Sequence, residues 1–273
     1  MYDVIVLGGG PAGLSAALNV RARGRTALVV SNPPEESPLW KAERVDNCLG
    51  LPGLSGAELL TLFRRHAAEA GAEFLEGRAL SALRSGEDWY VSVGSDMAQA
   101  KAVVLAAGAV RGRKLPGEAE LLGRGLSYCA TCDGMLYRGR RVAVLGYSPS
   151  AKREAEFLEG IGCRVAYFDR PKSASIQGTE KVESVTCDGV TEEVEGVFLL
   201  RPAMAPGDLF PGLELEKGYV KVDRDMATNL PGVFAAGDCT GLPLQLSKAV
   251  GEGLIAGHRA AEYVDQLASA ERK

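Results

Sequence analysis

Short blocks of continuous apolar residues alternate along this chain with segments of helical period. Tyr2-Asp-Val-Ile-Val-Leu7 is the kind of run that fills a parallel strand buried on both faces. Gly8-Gly9-Gly10-Pro11-Ala12-Gly13 follows, then a predicted helix over Leu14–Arg23 with a Leu/Val face, a stop at Gly24, and a second strand over Thr26–Val30. The same order returns later. Arg141–Leu145 predicts a strand, Gly146-Tyr-Ser-Pro-Ser-Ala151 a turn, Lys152–Glu159 a helix and Arg164–Phe168 a strand. Val103–Ala109 reads as another buried strand ending in small residues. Val233–Asp238 reads as one more, before a helix from about Ser247 to Leu267. Alternating strands and helices predict an α/β class built of two dinucleotide-binding-like, Rossmann-type domains.

The first glycine turn carries the chemistry of a nucleotide site. Gly8 permits the tight turn, Gly10 lets backbone approach a pyrophosphate, and Gly13 lets helix and strand pack. Pro11 suits the first helical turn, where its missing N–H costs nothing. The helix N-terminus then faces the phosphates. The acidic residue expected at the end of the second strand is absent: Ser31 stands there, with Glu35 and Glu36 a few residues late. The second copy keeps its first glycine and its proline, has Ala151 at the third glycine, and replaces the second with Ser148. The added Cβ lies where a pyrophosphate must come close. That copy is equally a plain βαβ unit.

Composition narrows the field. The chain has 273 residues, 46% apolar and 24% charged, with net charge -4, so nothing global points to nucleic acid or an anionic membrane. No apolar run is long enough for a membrane span. Met1 leads straight into the first strand without a basic leader, which predicts a reducing cytoplasm and a catalytic rather than structural disulfide. Of six cysteines only Cys129 and Cys132 are close together; Cys48, Cys163, Cys187 and Cys239 are scattered and read as small buried hydrophobes. Zinc would need two more ligands at suitable spacing, and His66 and His258 are the chain's two histidines. A Cys-x-x-Cys pair can cycle between dithiol and disulfide. Asp133, immediately after it, is the local candidate for moving protons, or else a cap for the following segment.

With these pieces placed, the chain resembles the low-molecular-weight thioredoxin reductase family. The resemblance rests on the N-terminal GGGPAG, Asp46-Asn47 before Gly50-Leu-Pro-Gly53, the AAGA strand, the Cys-Ala-Thr-Cys-Asp-Gly box and the C-terminal Gly-Val-Phe-Ala-Ala-Gly-Asp. It implies a homodimer with a discontinuous FAD domain, here 1–112 with 195–273, split by an inserted pyridine-nucleotide domain, 113–194, that carries the redox disulfide. It implies hinges near Arg113 and Glu195. It also implies that Cys132 is the sulfur nearest the flavin, Cys129 attacks the partner disulfide, and Asp133 is the acid/base residue. FAD contacts carried over are Gly8, Gly10, Pro11, Ala12, Gly13, Asn47, Ala107, Gly108, Gly237, Asp238 and Gln245.

The insert departs from the family. Where members carry His-Arg-Arg for the 2′-phosphate of NADPH, this chain reads Phe168-Asp169-Arg170. A carboxylate 4 Å from a phosphate costs about 1 kcal/mol in water and about 4 at an effective dielectric near 20. The insert is short, and Pro171–Lys181 reads as charged and polar chain in place of a long helix and strand. These features argue against NADPH, although Asp169 suits the ribose 2′-OH of NADH. They resemble the branch that takes electrons from ferredoxin; a related branch holds a second flavin. Basic clusters at Arg111-Gly-Arg113-Lys114, Arg138-Gly-Arg140-Arg141 and Lys152-Arg153 suit an acidic ferredoxin or are solvated turns. The expected activity is FAD-dependent reduction of a thioredoxin-like protein through Cys129–Cys132. An NAD(P)H-dependent reductase, a two-flavin oxidoreductase and a redox sensor without turnover stay open.

Overall fold

The computed structural model describes residues 1–108 and 114–270. The chain divides into two compact units, Met1–Arg111 with Ala203–Lys273, and Gly112–Pro202.

The first unit opens with β1 (Tyr2–Leu7), α1 (Pro11–Ala22), β2 (Ala27–Ser31), α2 (Gly56–Glu69) and β3 (Glu73–Glu76). β4 (Ala79–Ser85), β5 (Asp88–Val93) and β6 (Asp96–Leu105) follow as an antiparallel meander. The sheet order is β3-β2-β1-β6-β5-β4, and its first four strands run parallel. Val4 to Leu7 and Val103 to Leu105 are at most 2% exposed, because helices cover one face and the Trp89–Phe210 side of the core covers the other. α2 starts on a capping box: Ser55 Oγ accepts the Glu58 amide while Glu58 accepts the Ser55 amide.

The second unit contains α3 (Glu118–Leu121), β7 (Leu126–Ser127), α4 (Ala130–Asp133), β8 (Arg141–Gly146), α5 (Ala151–Gly160) and β9 (Arg164–Asp169). β10 (Ala174–Gln177), β11 (Ser184–Cys187), β12 (Val190–Glu193) and β13 (Gly196–Leu200) complete it. A parallel sheet of order β7-β13-β8-β9 stands beside an antiparallel sheet β10-β11-β12. The chain then returns to the first unit with α6 (Pro206–Leu209), the small hairpin β14 (Leu215–Glu216) and β15 (Tyr219–Val220), β16 (Val233–Ala235) beside β6, and α7 (Leu246–Ala270).

The strand–turn–helix–strand repeat is present in both units. Three expectations need correction. The return crossing lies at Ala203 and not at Glu195: β13 is the partner of both β7 and β8, and the Glu195 amide bonds to the Arg141 carbonyl, so this segment belongs to the insert's own sheet. The polar stretch Pro171–Lys181 contains a strand, β10, because Ile176 alternates inward, 4% exposed, onto Val182 and Val185. The strand expected over Val103–Ala109 ends at Leu105; Ala109, Arg111 and Arg113 lie outside the described residues.

Candidate active site

In the first unit, backbone geometry builds the nucleotide cradle. Gly8 has φ +123° and its α-hydrogen faces the Ala106 carbonyl so closely that a Cβ would lie 2.2 Å from the oxygen. A Cβ on Gly13 would lie 1.9 Å from the Gly8 carbonyl oxygen, so the turn and the first helical turn touch there. Gly10, by contrast, has open space where a Cβ would be. It is the N-cap of α1 and offers no side-chain cap to the helix amides, with Pro11 at the first position. Ser31 Oγ, where sequence expects an acid, closes on Gly9: a Cβ there would meet it at 2.7 Å.

The other carried-over residues come from distant segments. Asn47 Nδ2 donates to Gln245 Oε1 at 2.9 Å. Gly237 and Asp238 begin a short 3₁₀ turn after β16, and Asp238 does not cap it; Ala236 holds that position. Burial pushes the Asp238 carboxyl upward, with Glu252 adding and Lys248 opposing. The turn is braced by two residues of α7 that sequence reasoning missed. Glu252 Oε2 accepts the Gly237 amide at 2.8 Å, and Lys248 Nζ donates to the Gly237 and Gly241 carbonyls at 2.9 Å. Their i,i+4 spacing was the available signal. Room against backbone at Gly10, a helix start without a side-chain cap and a polar turn at Gly237–Asp238 fit a dinucleotide such as FAD.

The second unit carries the sulfur pair. Cys129 and Cys132 form a disulfide. Cys129 is the N-cap of α4 and is 7% exposed, whereas Cys132 is exposed. Cys129 Sγ accepts the Cys132 amide at 3.1 Å and lies 3.4 Å from Thr131 Oγ1. Such donors favour negative charge on that sulfur once the bond is opened. Asp133 stands at the N-cap of the following turn, but its side chain makes no capping bond there. Its Oδ2 instead accepts the hydroxyl of Ser127, at 2.6 Å, a residue the sequence did not mark. The other four cysteines are buried and free. Burial pushes the Cys187 thiol up to about 11 and the Cys239 thiol up to about 12, so neither competes as a thiolate at neutral pH.

The second glycine turn is built differently from the first. Tyr167 Oη lies 2.6 Å from the position of a Gly146 Cβ, so the ring covers the turn. Ser148 is 4% exposed, and its amide and that of Tyr147 both bond to the Leu200 carbonyl. Ser148 Oγ lies 3.1 Å from Ser150 Oγ, and Ser150 Oγ donates to Glu154 Oε1 at 3.3 Å. Glu154 therefore puts a carboxylate in the first turn of α5. Of the basic clusters, Arg138, Lys152, Arg153 and Lys114 are exposed, while Arg140 faces Glu195 at 3.8 Å and Arg141 pairs with Glu192. No helix among the described residues is long and apolar enough to cross a membrane.

The chain is similar in sequence and fold to known proteins. The family described as pyridine nucleotide-disulphide oxidoreductase matches residues 2–199 and 171–253. The thioredoxin reductase of Listeria innocua is 33% identical over 99% of this chain and 96% of its own length. Among solved structures, a ferredoxin-flavin thioredoxin reductase from Clostridium acetobutylicum superposes with TM-score 0.91 at 34% identity, covering 97% of this chain and 98% of that one. A thioredoxin reductase from Gloeobacter violaceus gives TM-score 0.83 at 30% identity, over 97% and 94%.

Proposed function

The chain belongs to the pyridine nucleotide-disulphide oxidoreductase family, and on that premise we propose that this thioredoxin reductase-like disulfide oxidoreductase draws its electrons from a ferredoxin-like protein and not from a nicotinamide. The observation that carries the reading is the Gly146–Glu154 turn. Tyr167 covers the glycine, Ser148 is buried against β13, and Glu154 sets a carboxylate at the helix start where a pyrophosphate would bind. Ser148, where the first turn has the open Gly10, opposes a dinucleotide by volume, and Glu154 opposes it by charge. Asp169, at the end of β9, adds a carboxylate where a 2′-phosphate would lie. The exposed Arg138, Lys152 and Arg153 supply positive surface for an acidic donor. The similarity to the ferredoxin-flavin thioredoxin reductase of Clostridium acetobutylicum supports the same choice.

FAD, held by Gly8, Gly10, Pro11, Ala12, Gly13, Asn47, Ala107, Gly108, Gly237, Asp238 and Gln245, would supply the two-electron relay to the sulfur pair. Everything downstream is done by the chain itself. In the dithiol form Cys129, favoured as thiolate by the Cys132 amide, attacks the disulfide of a thioredoxin-like partner. A mixed disulfide forms and one partner sulfur leaves as thiolate. Cys132 then attacks Cys129 Sγ, closing the Cys129–Cys132 bond and freeing the second partner sulfur. Asp133 takes the proton from the attacking thiol and returns it to a leaving one. The proposed assembly is a cytoplasmic homodimer.

Anaerobic mixing decides the donor. Chemically reduced ferredoxin is expected to bleach the flavin within the time of turnover, while NADPH and NADH leave it yellow. Rapid bleaching by either nicotinamide overturns the donor assignment and returns the NAD(P)H-dependent reading. Two flavins per chain in denatured extracts would favour a two-flavin enzyme.

A further inference from the structure

We infer that Glu36, steered by Asn32, replaces the absent strand-end acid and holds the adenosine ribose of the dinucleotide; this deepens the FAD reading proposed above and rests on it. In a dinucleotide-binding βαβ unit, the carboxylate that accepts the ribose 2′-OH stands at the end of the second strand. Here that strand end lies against the glycine turn. β2 runs parallel to β1 as far as Leu7↔Val30, and the Gly8 amide bonds to the Val30 carbonyl at 2.8 Å. Ser31, the last residue of β2, brings its Oγ to 2.7 Å from the position of a Gly9 Cβ. A neutral hydroxyl therefore stands where a charged acceptor is expected.

The segment after β2 supplies the charge. Asn32 follows the strand directly, and Pro33 leads into a short 3₁₀ turn, Pro34–Glu36. The turn closes through the Glu36 amide on the Pro33 carbonyl and the Ser37 amide on the Pro34 carbonyl, both at 3.0 Å. It folds the chain back, so that Asn32 Nδ2 donates to Glu36 Oε2 at 3.1 Å. A carboxylate from further along the chain is returned to the residue next to the strand end. Asn32 and Glu36 are half-buried, whereas Glu35 is exposed, which selects Glu36 of the two acids. An ionised carboxylate has about four acceptor sites, so one amide orients it without saturating it. A ribose hydroxyl donating to it makes a charge-assisted bond, which Ser31 could not offer. Two consecutive prolines restrict the segment in advance and lower the ordering cost of binding.

The test titrates the full-length protein, stripped of flavin, with FAD and with the FAD analogue that lacks the adenosine 2′-hydroxyl, following flavin fluorescence. Wild type is expected to bind FAD about tenfold more tightly than the analogue. Glu36→Ala is expected to weaken FAD about tenfold, leave the analogue nearly unchanged and so erase the preference. Asn32→Ala is expected to shrink the preference, and Glu35→Ala to keep it. Equal weakening of both ligands by Glu36→Ala makes the residue structural and overturns the inference. A wild-type protein without preference, or loss of the preference in Glu35→Ala instead, overturns it too. Wild type that binds neither ligand ends the FAD reading itself, which is a different result. Should Glu36→Ala be insoluble, Glu36→Gln carries the test, with the preference expected to fall to about threefold.

Discussion

Asn47 and Gln245, 198 residues apart, are joined by a hydrogen bond of 2.9 Å from Nδ2 to Oε1. The bond ties the loop before α2 to the residue preceding α7, two segments of the first unit that are far apart in sequence. Both side chains are exposed, so their pairing is a matter of position more than stability. Asn47→Ala and Gln245→Ala are each expected to weaken FAD retention by about tenfold, about 1.4 kcal/mol. The double variant is expected to lose less than the sum, because the two act as one unit. Equilibrium dialysis of FAD against the four proteins checks this; full additivity would show that the residues act independently.

The order of the sulfurs is open to a direct optical test. Cys129 receives the Cys132 amide and is buried, whereas Cys132 is exposed. On the proposed sulfur order, in which Cys132 is the one that meets the flavin, Cys129→Ser is expected to leave a flavin–thiolate absorbance band and to lose turnover. A band seen with Cys132→Ser instead reverses the assignment.

A buried ion pair contributes to the acid stability of the second unit. Glu118 is 0% exposed, and it accepts from Arg201, from Tyr128 Oη at 2.9 Å and from the Leu115 amide at 2.7 Å. Burial alone would raise the Glu118 carboxyl, but these donors outweigh it and hold it below its ordinary 4.5. A carboxyl depressed by folding contributes stability above its unfolded value and loses it as pH falls through the folded one. The wild-type protein is therefore expected to weaken below about pH 4.5. Arg201→Met leaves the carboxylate buried with two neutral donors and without its counter-charge, at a cost of about 3–5 kcal/mol near neutrality. Its pKa then rises, so this variant is expected to regain stability as pH drops toward 5, with a slope opposite in sign to wild type. Thermal melts between pH 4 and 8 check the sign.

The brace beneath the Gly237–Asp238 turn gives a further prediction. Glu252 Oε2 accepts the Gly237 amide, lies 2.8 Å from Thr240 Oγ1 and pairs with Lys248 at 3.1 Å. Glu252→Ala removes the common acceptor and is expected to cost about 2–3 kcal/mol and to lower flavin content as purified. Glu252→Gln keeps an oxygen and is expected to retain most of both. Equal flavin content in both variants would show that the turn does not depend on the brace.

The local repeat was legible because strands buried on both faces leave continuous apolar runs, and a glycine turn between strand and helix has few substitutes. Tyr2–Leu7, Arg141–Leu145 and the Cys129–Cys132 box could be read from neighbours in the chain alone. The boundary at Ala203 could not, because β13 belongs to the insert only through its pairing with β7 and β8. Nor could the strand within Pro171–Lys181, whose polar residues face outward while Ile176 turns in.

The sequence by itself determined where the nucleotide turns and the sulfurs lie, since those chemistries depend on residues within a few positions of each other. Tertiary structure decided what surrounds them: Ser127 on Asp133, Tyr167 over Gly146, Glu252 under Gly237. Each of these partners is set by a side chain reaching across space from another element, and spacing along the chain carries no record of that reach.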